Sequence, residues 1–180
     1  MPAKAWALRD ARPDDALALS VLSTAVWIDT YATSGVRATI AREVSQQFDP
    51  AKLHAALNGG RSHWLVAARG EHLLGYARWH AAEHADEPAT RGGFELDTLY
   101  VLARFAGQGI GAALIRETRR RCGQAVLWTT AWVGNPRARC FYEREGYVMH
   151  RVVDYSFEGE HHDNWLLVNI NAKAAASVQS

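Results

Sequence analysis

Cysteine is scarce in this chain, with only Cys122 and Cys140 in 180 residues. Neither belongs to a paired metal or redox spacing, and both fall in segments that read as helix, which fits a reducing, cytoplasmic compartment. An excess of one charge is lacking too. The formal net charge is +1 and the charges are dispersed. Nonspecific nucleic-acid binding draws on a basic stripe, and the one candidate, Arg119-Arg120-Arg121, reads as a solvated helix end whose cations complement the helix dipole. No nucleic-acid partner is expected. Long apolar runs are also missing. The opening MPAKAWALRDARPDD lacks the hydrophobic stretch of a signal peptide, and no segment is long and apolar enough to span a bilayer, so no membrane partner is expected. Finally, no Pro/Gly/Ser-rich linker, internal repeat or low-complexity tract divides the chain. Residues 1–170 are expected to form one domain, and residues 171–180, which lack periodicity, a flexible tail.

Hydrophobic residues, by contrast, make up 48% of the chain, enough for a sizeable core, and seven are tryptophans. Most of these tryptophans are expected in the core and some along a ligand groove.

Hydrophobic periodicity orders the elements. Residues 6–9 suit an edge strand. Pro13, Asp14 and Asp15 start a helix carrying Leu17, Leu19, Val21, Leu22, Val26 and Trp27. Gly35 interrupts before a second helix at about 39–48. Asp49-Pro50 opens a third, which stops at Asn58-Gly59-Gly60. Residues 63–68 and 72–80 read as a hairpin about the turn 69–71. Residues 82–91 read as a loop, and FELDTLYVL (94–102) as the strongest strand. A helix at 110–121, a strand at 125–130 and a helix at 136–144 follow. Asn135 is the N-cap of that last helix and Gly146 closes it. Residues 147–157 and 165–170 read as a final antiparallel pair around a polar tip. The order describes a mixed α/β domain.

The stretch ARFAGQGIGAALI joins the strongest strand to an amphipathic helix. Glycines at alternate positions (Gly107, Gly109, Gly111) allow a tight turn and close approach of a ligand to bare N–H groups at a helix N-terminus, which favours phosphate. A Walker loop is excluded because Gly111 is followed by Ala112-Ala113 rather than Lys-Ser/Thr. A dinucleotide fold fits poorly, because the spacing is GxGxG and the next strand ends in Thr129-Thr130 rather than an acid. A cofactor whose pyrophosphate lies over the loop while its other arm runs beside the strand fits, and coenzyme A has that form.

About two dozen residues later comes GNPRARCFYEREGYV. Paired with the glycine loop, it resembles the GNAT superfamily of N-acyltransferases. The family's loop pattern, Arg/Gln-x-x-Gly-x-Gly/Ala, is met by Gly109 and Gly111. Its later pattern is met by Asn135, Ala138, Phe141, Tyr142, Glu143, Gly146 and Tyr147. One position departs: the loop's first Arg/Gln is Ala106, for which Arg104 is a substitute to be tested. The resemblance implies a single domain with a central mixed, mostly antiparallel sheet flanked by helices. It implies acetyl-CoA as co-substrate, no metal, and direct transfer to an amine in a ternary complex.

The resemblance also implies the site. Ala106, Gly107, Gln108, Gly109, Ile110, Gly111 and Ala112 would hold the pyrophosphate. The backbone of Leu99, Tyr100 and Val101 would meet the pantetheine arm and the oxyanion. Asn135 would touch the cofactor, although its context is equally that of a helix cap. Tyr142 would protonate the departing thiolate, and Glu95 would take the amine's proton. Strand alternation puts Glu95 and Asp97 on one face, so either carboxylate serves as base or binds a cationic substrate. Trp27, Asp29, Tyr31 and Trp79, with His80, lie in the region expected to shape an acceptor pocket, where aromatics and a carboxylate suit a cationic amine with an apolar body. The acceptor is a small-molecule or peptide amine, and the absence of a strongly charged groove favours a metabolite or xenobiotic. A monomer or homodimer is expected. The rival class is a non-catalytic acyl-CoA-binding module, which the departure at Ala106 keeps open. His161-His162-Asp163, with His150 and His80 elsewhere, shows no metal-ligand spacing and is expected at a polar hairpin tip.

Overall fold

The computed structural model describes residues 6–82, 88–157 and 160–169. The sequence expectations for residues 83–87, the hairpin tip at 158–159, and Ile170 with the tail beyond it lie outside the described residues.

The elements are β1 (Ala7–Asp10), α1 (Ala16–Tyr31), α2 (Ala38–Gln47), α3 (Pro50–Asn58), β2 (Ser62–Arg69), β3 (His72–Ala81), β4 (Phe94–Val101), α4 (Ile110–Cys122), β5 (Leu127–Trp132), α5 (Pro136–Arg144), β6 (Val148–Phe157) and β7 (Glu160–Asn169). The strands form one seven-stranded sheet in the order β1-β2-β3-β4-β5-β7-β6, flanked by helices. Its β1–β2, β5–β7 and β6–β7 ladders are antiparallel and its β4–β5 ladder is parallel. Among the described residues no helix is long and apolar enough to cross a membrane.

The chain resolves into two compact units. One comprises Met1–Trp79 with Thr98–Thr118, the other His80–Asp97 with Arg119–Ser180.

In the first unit, the Asp15 carboxylate organises the entry to α1. It takes two hydrogen bonds from the Arg9 guanidinium, at 2.7 and 2.8 Å, and a third from the Arg12 backbone N–H at 2.7 Å. Asp49 caps α3, its carboxylate accepting from the N–H groups of Ala51 and Lys52, and Pro50 fits the first helical position because it has no N–H to leave unpaired. These helices bury Leu19, Leu22 and Leu53 against Trp64, Val66 and Tyr76. The Ser23 hydroxyl meets the Tyr76 phenol at 2.8 Å, so these two buried hydroxyls satisfy each other. Leu17 and Val21, which fit the apolar periodicity of α1, are instead 66% and 64% exposed.

In the second unit, β5 is flanked by β7 and contributes Leu127 and Ala131 to a core with Leu166, Leu167 and Val168. The Asn169 amide donates to the Gly146 carbonyl at 2.8 Å, and the Arg119 guanidinium donates to the Glu145 carbonyl at 3.0 Å. Arg119 therefore ties down the end of α5, whereas the sequence placed it in a solvated run.

Three boundaries differ from the sequence reading. The strand expected at 125–130 is β5 at Leu127–Trp132. Gly123 takes φ +65° and the Ala125 N–H still bonds the Cys122 carbonyl, so the helix-closing turn delays the strand. The last strand begins at Glu160 rather than residue 165, because the ladder with β6 includes Asp154↔Asp163 and Val153↔Asn164. Backbone pairing does not need apolar side chains, so His161-His162-Asp163 lies within a strand and not at a polar tip. His161 Nδ1 sits 2.8 Å from Asp154 Oδ2. The first helix, whose apolar periodicity in the sequence ends at Trp27, runs on to Tyr31, so Asp29 and Tyr31 also lie on α1.

The Arg9 guanidinium, as donor and as charge, holds the Asp15 carboxyl below its usual range even though partial burial pushes the other way. A depressed carboxyl stabilises the fold fully above the unfolded value near ~4 and loses that contribution as pH falls through the lower folded value. Asp15→Asn should therefore cost about 1 kcal/mol at pH 7, the half-exposed arginine limiting the effect. In urea titrations run at several pH values, the gap between variant and wild type should close on the acid side.

Candidate active site

Strand β4 is built by alternation. Leu96 and Thr98 point into the protein and are buried, which turns Glu95 and Asp97 to the opposite face. The sequence anticipated that pair but not its third member. The Ala82 N–H bonds the Gly93 carbonyl at 2.9 Å, so His80, two residues back, comes beside Glu95, two residues on. Its Nε2 lies 3.5 Å from Glu95 Oε2 and its Nδ1 lies 3.5 Å from Asp97 Oδ2. The three side chains are 34% (His80), 28% (Glu95) and 18% (Asp97) exposed, shielded yet within reach of solvent. Trp128, the ladder partner of Glu95 on β5, buries its indole N–H without a hydrogen-bond partner.

The C-terminal half of β4 carries Leu99, Tyr100 and Val101. Tyr100 is clamped edge-on by the rings of Tyr76 at 5.8 Å and Phe48 at 6.3 Å. Gly75 of β3 is the second residue that the sequence reading missed. A Cβ there would meet the Tyr100 carbonyl oxygen at 2.6 Å and the Val101 Cα at 3.1 Å, so only glycine lets the backbones pass this closely. Its position in a strand was the available signal, since glycine inside a strand often marks a close backbone approach.

After β4, a single 3-10 turn (Ala103–Phe105) leads to exposed Ala106, whose N–H bonds the Ala103 carbonyl at 3.0 Å. Arg104 is exposed. The Arg69 guanidinium lies 5.7 Å from the Phe105 ring centre. Gly107 and Gly109 take φ +78° and +75°, left-handed conformations that other residues resist, and a Cβ at either would meet nothing within 4 Å. Gly111 differs from them: it lies in the first turn of α4, so two of the three glycines make the turn. The Ala113 N–H bonds the Gly109 carbonyl at 3.0 Å. The N–H groups of Ile110, Gly111 and Ala112 thus precede the helix's own ladder and form an anion-attracting end. Ile110, Leu114 and Ile115 are buried and fix this end in place, while Gln108 is exposed.

Asn135 caps α5, its side-chain oxygen accepting from the Ala138 N–H at 3.1 Å. Tyr142, one turn from the end of α5, is 7% exposed and packs against the rings of Phe141 at 5.4 Å and Tyr147 at 5.3 Å. Burial, with Tyr142 adding to it, holds the Tyr147 phenol well above its usual range, so it stays protonated. Cys122 is pushed up to about 11 by burial, and a thiol that remains neutral is a poor nucleophile. Among the described residues no cluster of histidine, cysteine and acidic side chains suits a metal ion.

The expected acceptor residues separate. Trp27 and Tyr31 pack one turn apart on α1 with their rings tilted by 46° and ring centres 4.9 Å apart, and Asp29 lies on the same helix. Trp79 is 2% exposed and stacked on His63, a core position rather than a pocket wall.

Residues 60–149, half of the chain, match the acetyltransferase (GNAT) domain family. The chain belongs to the GNAT acetyltransferase family. As a GNAT protein it is an acyltransferase. It is similar to an uncharacterised N-acetyltransferase of the pepI 3' region of Lactobacillus delbrueckii subsp. lactis, 23% identical over 69% of this chain and 74% of the relative. Its fold is similar to that of PaiA N-acetyltransferase from Thermoplasma acidophilum, solved in complex with coenzyme A. That pair has a TM-score of 0.72 and 16% identity over 92% of this chain and 99% of PaiA. It is also similar to Arabidopsis thaliana NAA60 in complex with a bisubstrate analogue, with TM-score 0.69 and 20% identity over 92% and 98% of the two chains.

The tight passage at Gly75 makes a direct structural claim about this GNAT fold. Gly75→Val should destabilise it by roughly 1–3 kcal/mol, and amide resonances of Tyr100 and Val101 should shift in the folded fraction, as read by thermal melts and NMR.

Proposed function

We propose that this GNAT protein is an acetyl-CoA-dependent N-acetyltransferase that moves an acetyl group directly to a primary amine of a small molecule or peptide. The observation that carries this reading is the turn through Gly107 and Gly109 into the first-turn amides of α4. Such an end favours phosphate, and coenzyme A carries a pyrophosphate. PaiA bound to coenzyme A supports the same cofactor here. The division into two units runs through β3, β4 and α4 rather than through a linker, so residues 1–170 are read as one catalytic domain. Two free cysteines, one buried and one exposed, support a reducing, cytoplasmic setting.

The reading gives each group a task. The N–H groups of 107–112 hold the pyrophosphate, with the amide of Asn135 an added contact, since its capping bond uses only the oxygen. Backbone groups of Leu99, Tyr100 and Val101 meet the pantetheine arm and the oxyanion. Glu95, with Asp97 beside it, takes a proton from the ammonium of the acceptor. The freed amine attacks the thioester carbon, the tetrahedral intermediate collapses with cleavage of the C–S bond, Tyr142 protonates the departing thiolate, and the proton shed by the newly acylated nitrogen restores the Tyr142 phenol. A phenol near ~10 and a thiol near ~8.5 are close enough for this transfer. Trp27, Asp29 and Tyr31 remain the acceptor candidates, and an aromatic pair with one carboxylate favours a cationic metabolite or xenobiotic amine. Trp79, being core, is dropped from that set.

Release of coenzyme A, followed with a thiol reagent across a panel of amines, tests the activity. Turnover of at least one amine is expected, and acetyl-CoA binding without turnover of any would contradict it. Tyr142→Phe should lower kcat by about 10²-fold, as loss of a general acid does, and unchanged turnover across pH would remove the acid role. Ala106→Arg should tighten coenzyme A binding measured by calorimetry, by about 1 kcal/mol for one added charged hydrogen bond. No gain would argue against the pyrophosphate lying beside that position.

A further inference from the structure

His80 has no part in the scheme above, yet its ring reaches both carboxylates. Its Nε2 faces Glu95 Oε2 and its Nδ1 faces Asp97 Oδ2, each at 3.5 Å. A neutral imidazole donates from one nitrogen and presents a lone pair from the other, whereas the doubly protonated ring donates from both. Placed between two carboxylates, the ring gains a favourable partner at each end when it takes up a proton. Its neighbours on β3 have contacts of their own: Arg78 lies over the Trp64 ring 5.0 Å away, and Trp79 stacks on His63.

We infer that His80 is a proton-relay residue that resets Glu95 between proton transfers. The inference rests on the acetyltransferase reading. The acceptor's ammonium gives one proton to Glu95 Oε2, breaking an N–H bond and forming an O–H bond. Glu95 returns to carboxylate by passing that proton to His80 Nε2, and the imidazole becomes an imidazolium. The imidazolium releases the proton on its Nδ1 towards Asp97 Oδ2, and Asp97, 18% exposed, gives it to solvent. The ammonium proton taken by Glu95 reaches water, both carboxylates end as they began, and the ring ends as its Nε2–H tautomer, which proton exchange with solvent returns to the Nδ1–H form. Asp97 is then the outlet of the relay and not a second, equivalent base. A pair of carboxylates acting independently would not need the ring between them.

The test begins with an amine that the wild-type chain acetylates. His80→Gln, with an unchanged melting temperature, should lose about 10- to 100-fold in kcat while the KM for the amine moves less than about threefold. His80→Gly should recover part of that loss in free imidazole, which a packing role would not allow. Adding Asp97→Asn to His80→Gln should cost little more than His80→Gln alone, because both act in one relay. Wild-type kcat in His80→Gln, no rescue, or losses that multiply independently would each overturn the relay. The two levels of failure separate cleanly. If the wild type binds acetyl-CoA but acetylates no amine, the acetyltransferase reading falls and the relay with it. If the wild type is active and Glu95→Gln is impaired while His80→Gln is not, only the relay falls. Ring ¹⁵N resonances of His80 give a readout without turnover. Glu95→Gln and Asp97→Asn should each shift them, and a ring indifferent to both substitutions would overturn the inference.

Discussion

The amides that open a helix have no carbonyl within that helix to bond, and at α4 they follow directly on a glycine turn after β4. The loop after β4 turns through two left-handed glycines, and α4 starts with buried Ile110, so the first-turn N–H groups stay where the turn leaves them. A Cβ at Gly107 or Gly109 would meet nothing within 4 Å, yet a residue other than glycine would strain the backbone there. The glycines are therefore conformational requirements, and the space above them is available for an incoming group. A fixed set of donors does not need to reorganise when an anion arrives, and the function proposed for this GNAT protein depends on that.

The scaffold that holds the turn is apolar and aromatic. Trp64 stacks on Tyr76 and Tyr76 meets Tyr100 edge-on, with Tyr76 also tied to Ser23. Gly75 lets β3 pass within van der Waals limits of β4 at Tyr100. A paired strand leading into a glycine turn is an arrangement that positions backbone groups well. At the other end of β4 the chemistry changes from backbone to side chain, with two carboxylates and an imidazole grouped on one face.

Much of this was legible in the sequence where local rules are strong. Asp49-Pro50 and Asn135-Pro136 announced helix starts, and the structure shows both caps in use. FELDTLYVL read as a strand with Glu95 and Asp97 on one face because the side-chain period of a strand is two. What escaped was set by pairing between elements. His80 meets Glu95 through a register fixed by the Ala82–Gly93 bond, and no single segment carries that information. Gly75 matters because of what Tyr100 does 25 residues away. β7 extended into His161-His162-Asp163 because β6 offered a partner there, which composition alone hides. Trp79 looked like a groove residue by type, but packing put it in the core.

The most direct test of the central claim is an amide NMR titration of the full chain with acetyl-CoA. The account predicts saturable shifts concentrated at Gly107, Gly109, Ile110, Gly111 and Ala112, with smaller ones along Leu99 to Val101. Spectra that stay unchanged at millimolar acetyl-CoA, or shifts that saturate elsewhere and spare those amides, would contradict it.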